Sequence, residues 1–173
     1  SPRTTEQGSS RGSERVVSLN GVNGCRVDGC AAAARYPCRM LYLASQSPRR
    51  RALLAHFGLP FGVVDVDVVE CRDPAEGAGD YVRRVARDKA DAGLRTLATE
   101  PGAVVLGADT EVVLDGEVFG KPRDDAEAAS MLRRLSGRTH EVISSVALVC
   151  AGHQAQATVV TEVTFAPLDE TTI

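Results

Sequence analysis

The chain has 173 residues, enough for one domain or an incomplete larger one, and its 43% apolar and 25% charged side chains suit a globular protein rather than a disordered one. No run approaches the roughly 20 apolar residues of a membrane-spanning helix. A formal charge of −3 argues against a nucleic-acid-coating surface, so neither a membrane nor a nucleic acid is expected as a partner. Within the 20 basic residues only Lys89 and Lys121 are lysines; the other 18 are arginines.

The first 39 residues hold six arginines and three acids, with scattered Gly and Ser and the run Ala31 to Ala34. No helical or strand period persists there. They are arginine-rich and acid-poor like a transit peptide but lack its amphipathic helix, and the expectation is an unrelated leader, disordered or appended, before a domain covering 40–173. Cysteines at 25, 30, 38, 71 and 150 show no paired CxxC and no nearby histidines, which speaks against zinc. An odd count without a secretory signal suggests reduced thiols and a cytoplasmic protein.

From Met40 the elements alternate. Residues 41–44 read as a short apolar strand, and 49–57 as a helix with Leu53, Leu54 and Phe57 on one face, stopped at Gly58. Residues 61–69 are valine-rich and read as a strand. Residues 80–97 carry apolar side chains at helical spacing and form the longest helix. Residues 103–108 read as a buried strand, followed by a hairpin turning at Asp115-Gly116. A helix over 124–135 and strands over 142–150 and 157–165 complete the pattern. The expectation is an α/β fold with a mixed twisted sheet flanked by helices. Pro167 to Glu170 resembles the start of a further helix, so the last portion of the domain is expected to be missing.

Three constellations could carry chemistry. Ser45-Gln46-Ser47-Pro48-Arg49-Arg50-Arg51 lies between strand and helix: Ser47 suits the N-cap and Pro48 the first helical position. Free backbone N–H groups there, with arginines beside them, suit a phosphate, although an ordinary capped helix with solvated arginines reads the same way. Gly107-Ala108-Asp109-Thr110 is expected at the C-terminal end of an apolar strand, where α/β ligands gather; a turn aspartate is the plainer alternative. Glu70 could be a second carboxylate, and two acids without a histidine cluster suit Mg²⁺. Gly120-Lys121-Pro122 and Lys89 hold the two lysines, either solvated like most lysines or retained for a purpose. The Gly-Lys-Pro ending is not a P-loop.

Together these segments resemble the Maf family of nucleoside triphosphate pyrophosphatases, also described as septum-formation inhibitors. The matching stretches are Leu43 to Arg50, Lys89-Ala90, Gly107 to Thr110, Gly120 to Pro122 and Met131 to His140, in the family's order. The resemblance implies a Maf or inosine-triphosphatase-like fold. It also implies hydrolysis of a nucleoside triphosphate to the monophosphate and pyrophosphate. On it, Ser45, Arg49, Arg50, Lys89 and Lys121 hold phosphates, Glu70 and Asp109 bind a divalent metal (Mg²⁺ or Mn²⁺), and Asp109 accepts the proton of the attacking water. Arg49 and Thr110 match members acting on dTTP and UTP. A homodimer is what the family suggests. Val69 stands where many members carry a second acid, and the family's later Asp-Lys-Ala-Gly and Ile-Gln-Gly stretches are absent. A non-catalytic nucleotide-binding regulator of cell division, or an inactive fragment, is therefore the alternative.

Overall fold

The structure, a computed structural model, describes residues 40–173 with side chains and 12–20 as backbone alone. The described strands form one seven-stranded mixed sheet in the order β1-β7-β6-β4-β2-β3, with β5 pairing β4. The strands are β1 (Gly12–Asn20), β2 (Leu41–Ala44), β3 (Phe61–Val63), β4 (Val104–Leu114), β5 (Glu117–Phe119), β6 (Thr139–Cys150) and β7 (His153–Thr164). The helices are α1 (Pro48–Ala55), α2 (Ala78–Thr96) and α3 (Asp125–Leu135). β2 runs parallel to both β3 and β4, and the other pairings are antiparallel. The expected mixed sheet flanked by helices is what forms.

α2 organises the packing. It buries Tyr81, Val82, Val85, Ala86, Lys89, Ala90 and Gly93, a stripe at one-turn spacing with a single charged member. Ala86 and Ala90 pack with Val105, Ala147 and Val149, while Tyr81, Val82 and Val85 pack with Val113 and Ile143. These sheet residues sit at odd positions of β4 and β6, which strand alternation places on one face. α3 covers the opposite face at the hairpin end, where Leu135 and Met131 meet Val112, Leu114, Phe119 and Phe165. Its N-cap is Asp124, which accepts from the Glu127 amide at 2.8 Å.

The hairpin turns where expected: Asp115 and Gly116 both have positive φ, 52° and 80°, as a two-residue primed turn requires. His140 is buried edge-on against Phe165, 4.8 Å between centroids, and burial lowers its pKa, which favours the neutral ring.

Five expectations change. β3 ends at Val63, not 69: Val64 still donates to the Leu43 carbonyl at 3.0 Å, but its partner β2 ends at Ala44, and Asp65 and Asp67 follow. Glu70 therefore sits on an irregular segment. β4 does not stop at 108 but runs through Asp109 to Leu114, because β6 pairs with it along that stretch. α1 buries none of its residues, and Leu53 and Phe57 remain exposed, so the expected packing face is uncovered among the described residues. Around Asp169, which accepts from the Thr172 amide at 2.8 Å, there is one turn rather than a helix. Finally, Gly12–Asn20 pairs antiparallel with β7, although its stretch carries no strand period. Main-chain pairing along the outer side of β7 needs no alternation of side chains. The rest of the first 39 residues lies outside the described residues.

α2 can approach β4 closely only because residue 107 is glycine. A Cβ there would sit 2.2 Å from the Ala86 carbonyl oxygen and 2.6 Å from the Ala90 nitrogen, backbone atoms that cannot step aside. Gly107→Ala is expected to cost about 3 kcal/mol by denaturant unfolding, since overpacking a rigid contact moves the whole helix. An unchanged unfolding midpoint would show that this contact does not set the packing.

Candidate active site

Three parts of the chain meet beside β4. β2 pairs with β4 only as far as Gly107, so Asp109 lies just beyond the point where the parallel neighbour leaves. Asp109 is thus in mid-strand, opposite Ser145, and not at the strand end that its motif suggested. It is only 5% exposed.

Lys89 projects from the buried stripe of α2 and places its ammonium between two carboxylates. Nζ lies 2.8 Å from Asp109 Oδ1 and 2.8 Å from Glu70 Oε1. The second oxygen of Glu70 receives Lys121 Nζ at 3.2 Å, reaching over from the segment after β5. Both lysines of the sequence therefore converge on one glutamate. Burial pushes Glu70 upward in pKa, but hydrogen bonds and charge from Lys89 and Lys121 outweigh it and leave it lowered. Asp109 Oδ2 is buried with no hydrogen-bond partner among the described residues, a costly condition for a carboxylate oxygen and one expected to have a purpose.

The Ser-Pro-Arg-Arg segment lies alongside. Ser45 is buried, and its Oγ accepts from the Ser47 amide at 3.2 Å; Ser47 caps α1, accepting from the Arg50 amide. Arg50 donates to Thr110 Oγ1 at 3.4 Å, and Thr110 Oγ1 pairs with Ser144 Oγ at 3.2 Å. Arg49 is exposed on the first turn of α1. The structure thus brings Glu70, Lys89, Asp109 and Lys121 into direct contact and ties Arg50 to Thr110. Ser45 and Arg49 stay on the adjoining turn.

Sequence reasoning missed Glu111. It lies two residues from Asp109 on the same strand, hence on the same face. Burial first, then the charges of Asp109 and Glu70, push its pKa up to about 7. Tyr81, at the start of α2, feels the same charges: burial, then Glu111, Asp109 and Glu70, raise its hydroxyl to about 12. The period of two from Asp109 was a signal for Glu111; nothing in the sequence singled out Tyr81.

The donors suit a hard divalent cation. Carboxylate oxygens of Glu70 and Asp109 already flank one cationic group, and Oδ2 has unused lone pairs. Among the described residues no group of three or more His, Cys, Asp or Glu is close enough to hold a metal ion alone.

A family model described as Maf-like protein matches residues 40–173. The chain belongs to the Maf-like family. Curated relatives agree: a protein of Xanthomonas oryzae pv. oryzae named dTTP/UTP pyrophosphatase is 57% identical over 136 residues, 78% of this chain and 72% of that one. A Xylella fastidiosa protein named nucleoside triphosphate pyrophosphatase is 56% identical over 132 residues, 76% of this chain and 70% of that one. Among solved structures, the Staphylococcus aureus Ham1 protein aligns with a TM-score of 0.42 and 13% identity over 70% of each chain. No helix among the described residues of this Maf-like chain is long and apolar enough to cross a membrane.

Glu111 gives the site a pH signature. Its folded pKa of about 7 exceeds the value of 4.5 for a free glutamate, so between these pH values the unfolded chain releases a proton that the folded one keeps. Stability therefore falls as pH rises through that window. In chelator, Glu111→Gln is expected to unfold roughly 3 °C higher than the parent at pH 8 and at nearly the same temperature at pH 4.5. Equal differences at both pH values would remove Glu111 as the titrating group.

Proposed function

We propose that this Maf-like chain hydrolyses nucleoside triphosphates, dTTP and UTP foremost, to the monophosphate and pyrophosphate, with a divalent cation and Asp109 as proton acceptor. The observation carrying this reading is the buried Asp109 carboxylate, held through Oδ1 by Lys89 while Oδ2 has no partner. A carboxylate oxygen with a free, desolvated lone pair is what a water molecule needs in order to be oriented and deprotonated. The names of the Xanthomonas and Xylella relatives support the same reaction.

In this reaction water attacks the α-phosphorus, the bond from it to the bridging oxygen of the β-phosphate breaks, and pyrophosphate leaves. The proton of the water passes to Asp109 Oδ2. Lys89 holds Asp109 through Oδ1, which leaves Oδ2 for the proton, and its ammonium stays beside the carboxyl throughout the step. Lys121 lies at the open edge with most of its side chain exposed, free to leave Glu70 for a phosphate. Ser45, Arg49 and Arg50 sit on the turn into α1, whose amide N–H groups and guanidinium donors favour phosphate oxygens. A divalent cation held by Glu70 and Asp109 would neutralise charge on the triphosphate as the bond breaks.

Arg49 and Thr110 are the specificity residues of this reading. Thr110 is fixed by Arg50 and Ser144, so its hydroxyl is pre-oriented, while Arg49 projects from the first helical turn. With few aromatic residues, 4% of the chain, base selection rests on hydrogen bonds more than on stacking.

The test is pyrophosphate release from a panel of nucleoside triphosphates by the protein carrying this chain, with Mg²⁺ or Mn²⁺. Asp109→Asn preserves shape but cannot accept the proton, and kcat should fall about 10²–10⁴-fold. The buried Lys89 loses a charged partner, so the unfolding temperature falls as well, and rates are compared at a temperature where both proteins are folded. Full activity in that variant would overturn the assignment, and preference for a purine triphosphate would overturn the substrate.

A further inference from the structure

Glu70 lies in residues 64–77, a stretch between β3 and α2 that has neither strand nor helix to hold it. A carboxylate on such a segment would lose its geometry to backbone entropy unless something fixed the chain nearby. One side chain does most of that fixing. Arg84, on α2, donates through Nε to Glu76 Oε1 and through Nη2 to Glu76 Oε2, both at 2.8 Å. The same Nη2 donates to the carbonyl of Cys71 at 2.9 Å, the residue directly after Glu70. Nη1 reaches Asp88 Oδ2 at 3.3 Å, which ties the guanidinium back to its own helix one turn on. Its plane also lies over the Tyr81 ring, 5.5 Å from Cζ to the centroid. Arg72 closes the loop on itself by donating to the Glu76 carbonyl at 2.9 Å.

The span is short. Arg84 stands five residues before Lys89 on the same helix, so one rigid element carries both the clamp on the segment and the ammonium that Glu70 faces. Glu70 is thereby gripped from both sides, through its carboxylate by Lys89 and through the following peptide by Arg84. Only a planar fork with several donors can hold a bidentate carboxylate and a carbonyl at once; a lysine offers a single point.

We propose that Arg84 is a positioning residue: by fixing Cys71 and Glu76 it sets where the Glu70 carboxylate stands, and so sets the affinity of the site for a divalent cation. This rests on the reading of Glu70 as part of the cation site. Arg84 itself contacts Cys71, Glu76, Asp88 and Tyr81, so its effect on the site runs through the placing of Glu70.

Three variants test it, Arg84→Lys, Glu76→Gln and Glu70→Gln, with Mn²⁺ binding measured by calorimetry in the absence of nucleotide and amide hydrogen exchange followed across the chain. Arg84→Lys should bind Mn²⁺ about tenfold more weakly, the range found when supporting residues of metal sites are changed. Exchange should speed up in residues 70–77 while α2 and β4 stay protected. Glu76→Gln keeps Arg84 and its charge, and should weaken binding in the same direction even if Arg84→Lys folds poorly. Normal Mn²⁺ binding by both clamp variants alongside a loss in Glu70→Gln would overturn the positioning role while leaving Glu70 as a ligand. Normal binding by Glu70→Gln would overturn the cation reading, and this proposal with it. Faster exchange spread over α2 and β4 would mark a general loss of stability and likewise overturn it.

Discussion

A lysine ammonium buried between two carboxylates is the constraint on which the arrangement depends. Lys89 occupies a position in the packing stripe of α2 that would otherwise take an apolar residue. An ammonium in that place is tolerable only with charged partners in contact, and removing one partner leaves an uncompensated charge. Asp109 supplies one partner from a sheet strand and Glu70 the other from an irregular segment, so the ion pair joins three elements. Gly107 makes this geometry reachable: with no side chain there, Ala86 and Ala90 rest against the strand, and the Lys89 stem lies level with Asp109 two residues on.

Much of the fold could be read from side-chain periods, because the buried elements obey them. The α2 stripe, the hairpin at Asp115-Gly116 and the capped α3 all follow from local chemistry. The departures occur where partners, not periods, decide. β3 stops early because its partner β2 ends at Ala44, although its sequence stays valine-rich. β4 and β6 run longer than their apolar cores because each supplies the other with a ladder. β1 forms by main-chain pairing, for which the sequence carries no pattern.

The site was legible to a different degree. Two lysines among 20 basic residues drew attention by rarity, and both meet Glu70. Asp109 stood out for its place in a Gly-Ala-Asp-Thr run after an apolar strand. Glu111 was available from strand alternation but was hidden by the expectation that the strand ended before Asp109; a residue beyond a strand has no assigned face. Arg84 could not have been found by rarity, being one of 18 arginines. What distinguishes it is which carbonyl and which glutamate it touches, and those contacts depend on the path of the segment between β3 and α2.

The carboxylates along this face are chemically alike and yet sorted by surroundings. Glu70, with a lysine on each oxygen, has its pKa lowered; Glu111, half-buried beside two other acids, has it raised to about 7. The difference follows from which element carries each lysine. Both ammonium groups approach from the Glu70 side, one from α2 and one from the segment after β5, and Glu111 lies further along the strand where their attraction is weaker than the repulsion of its neighbours. Glu70, Asp109 and Glu111 thus set three carboxyl groups on this face against two lysines. That excess, concentrated beside an unpartnered carboxylate oxygen, favours cationic character in whatever enters first. On the function proposed above, an anionic triphosphate alone would meet Glu70 and Asp109 as repulsion, whereas one arriving with a divalent cation would offer the carboxylates a partner and free the lysines for its phosphates.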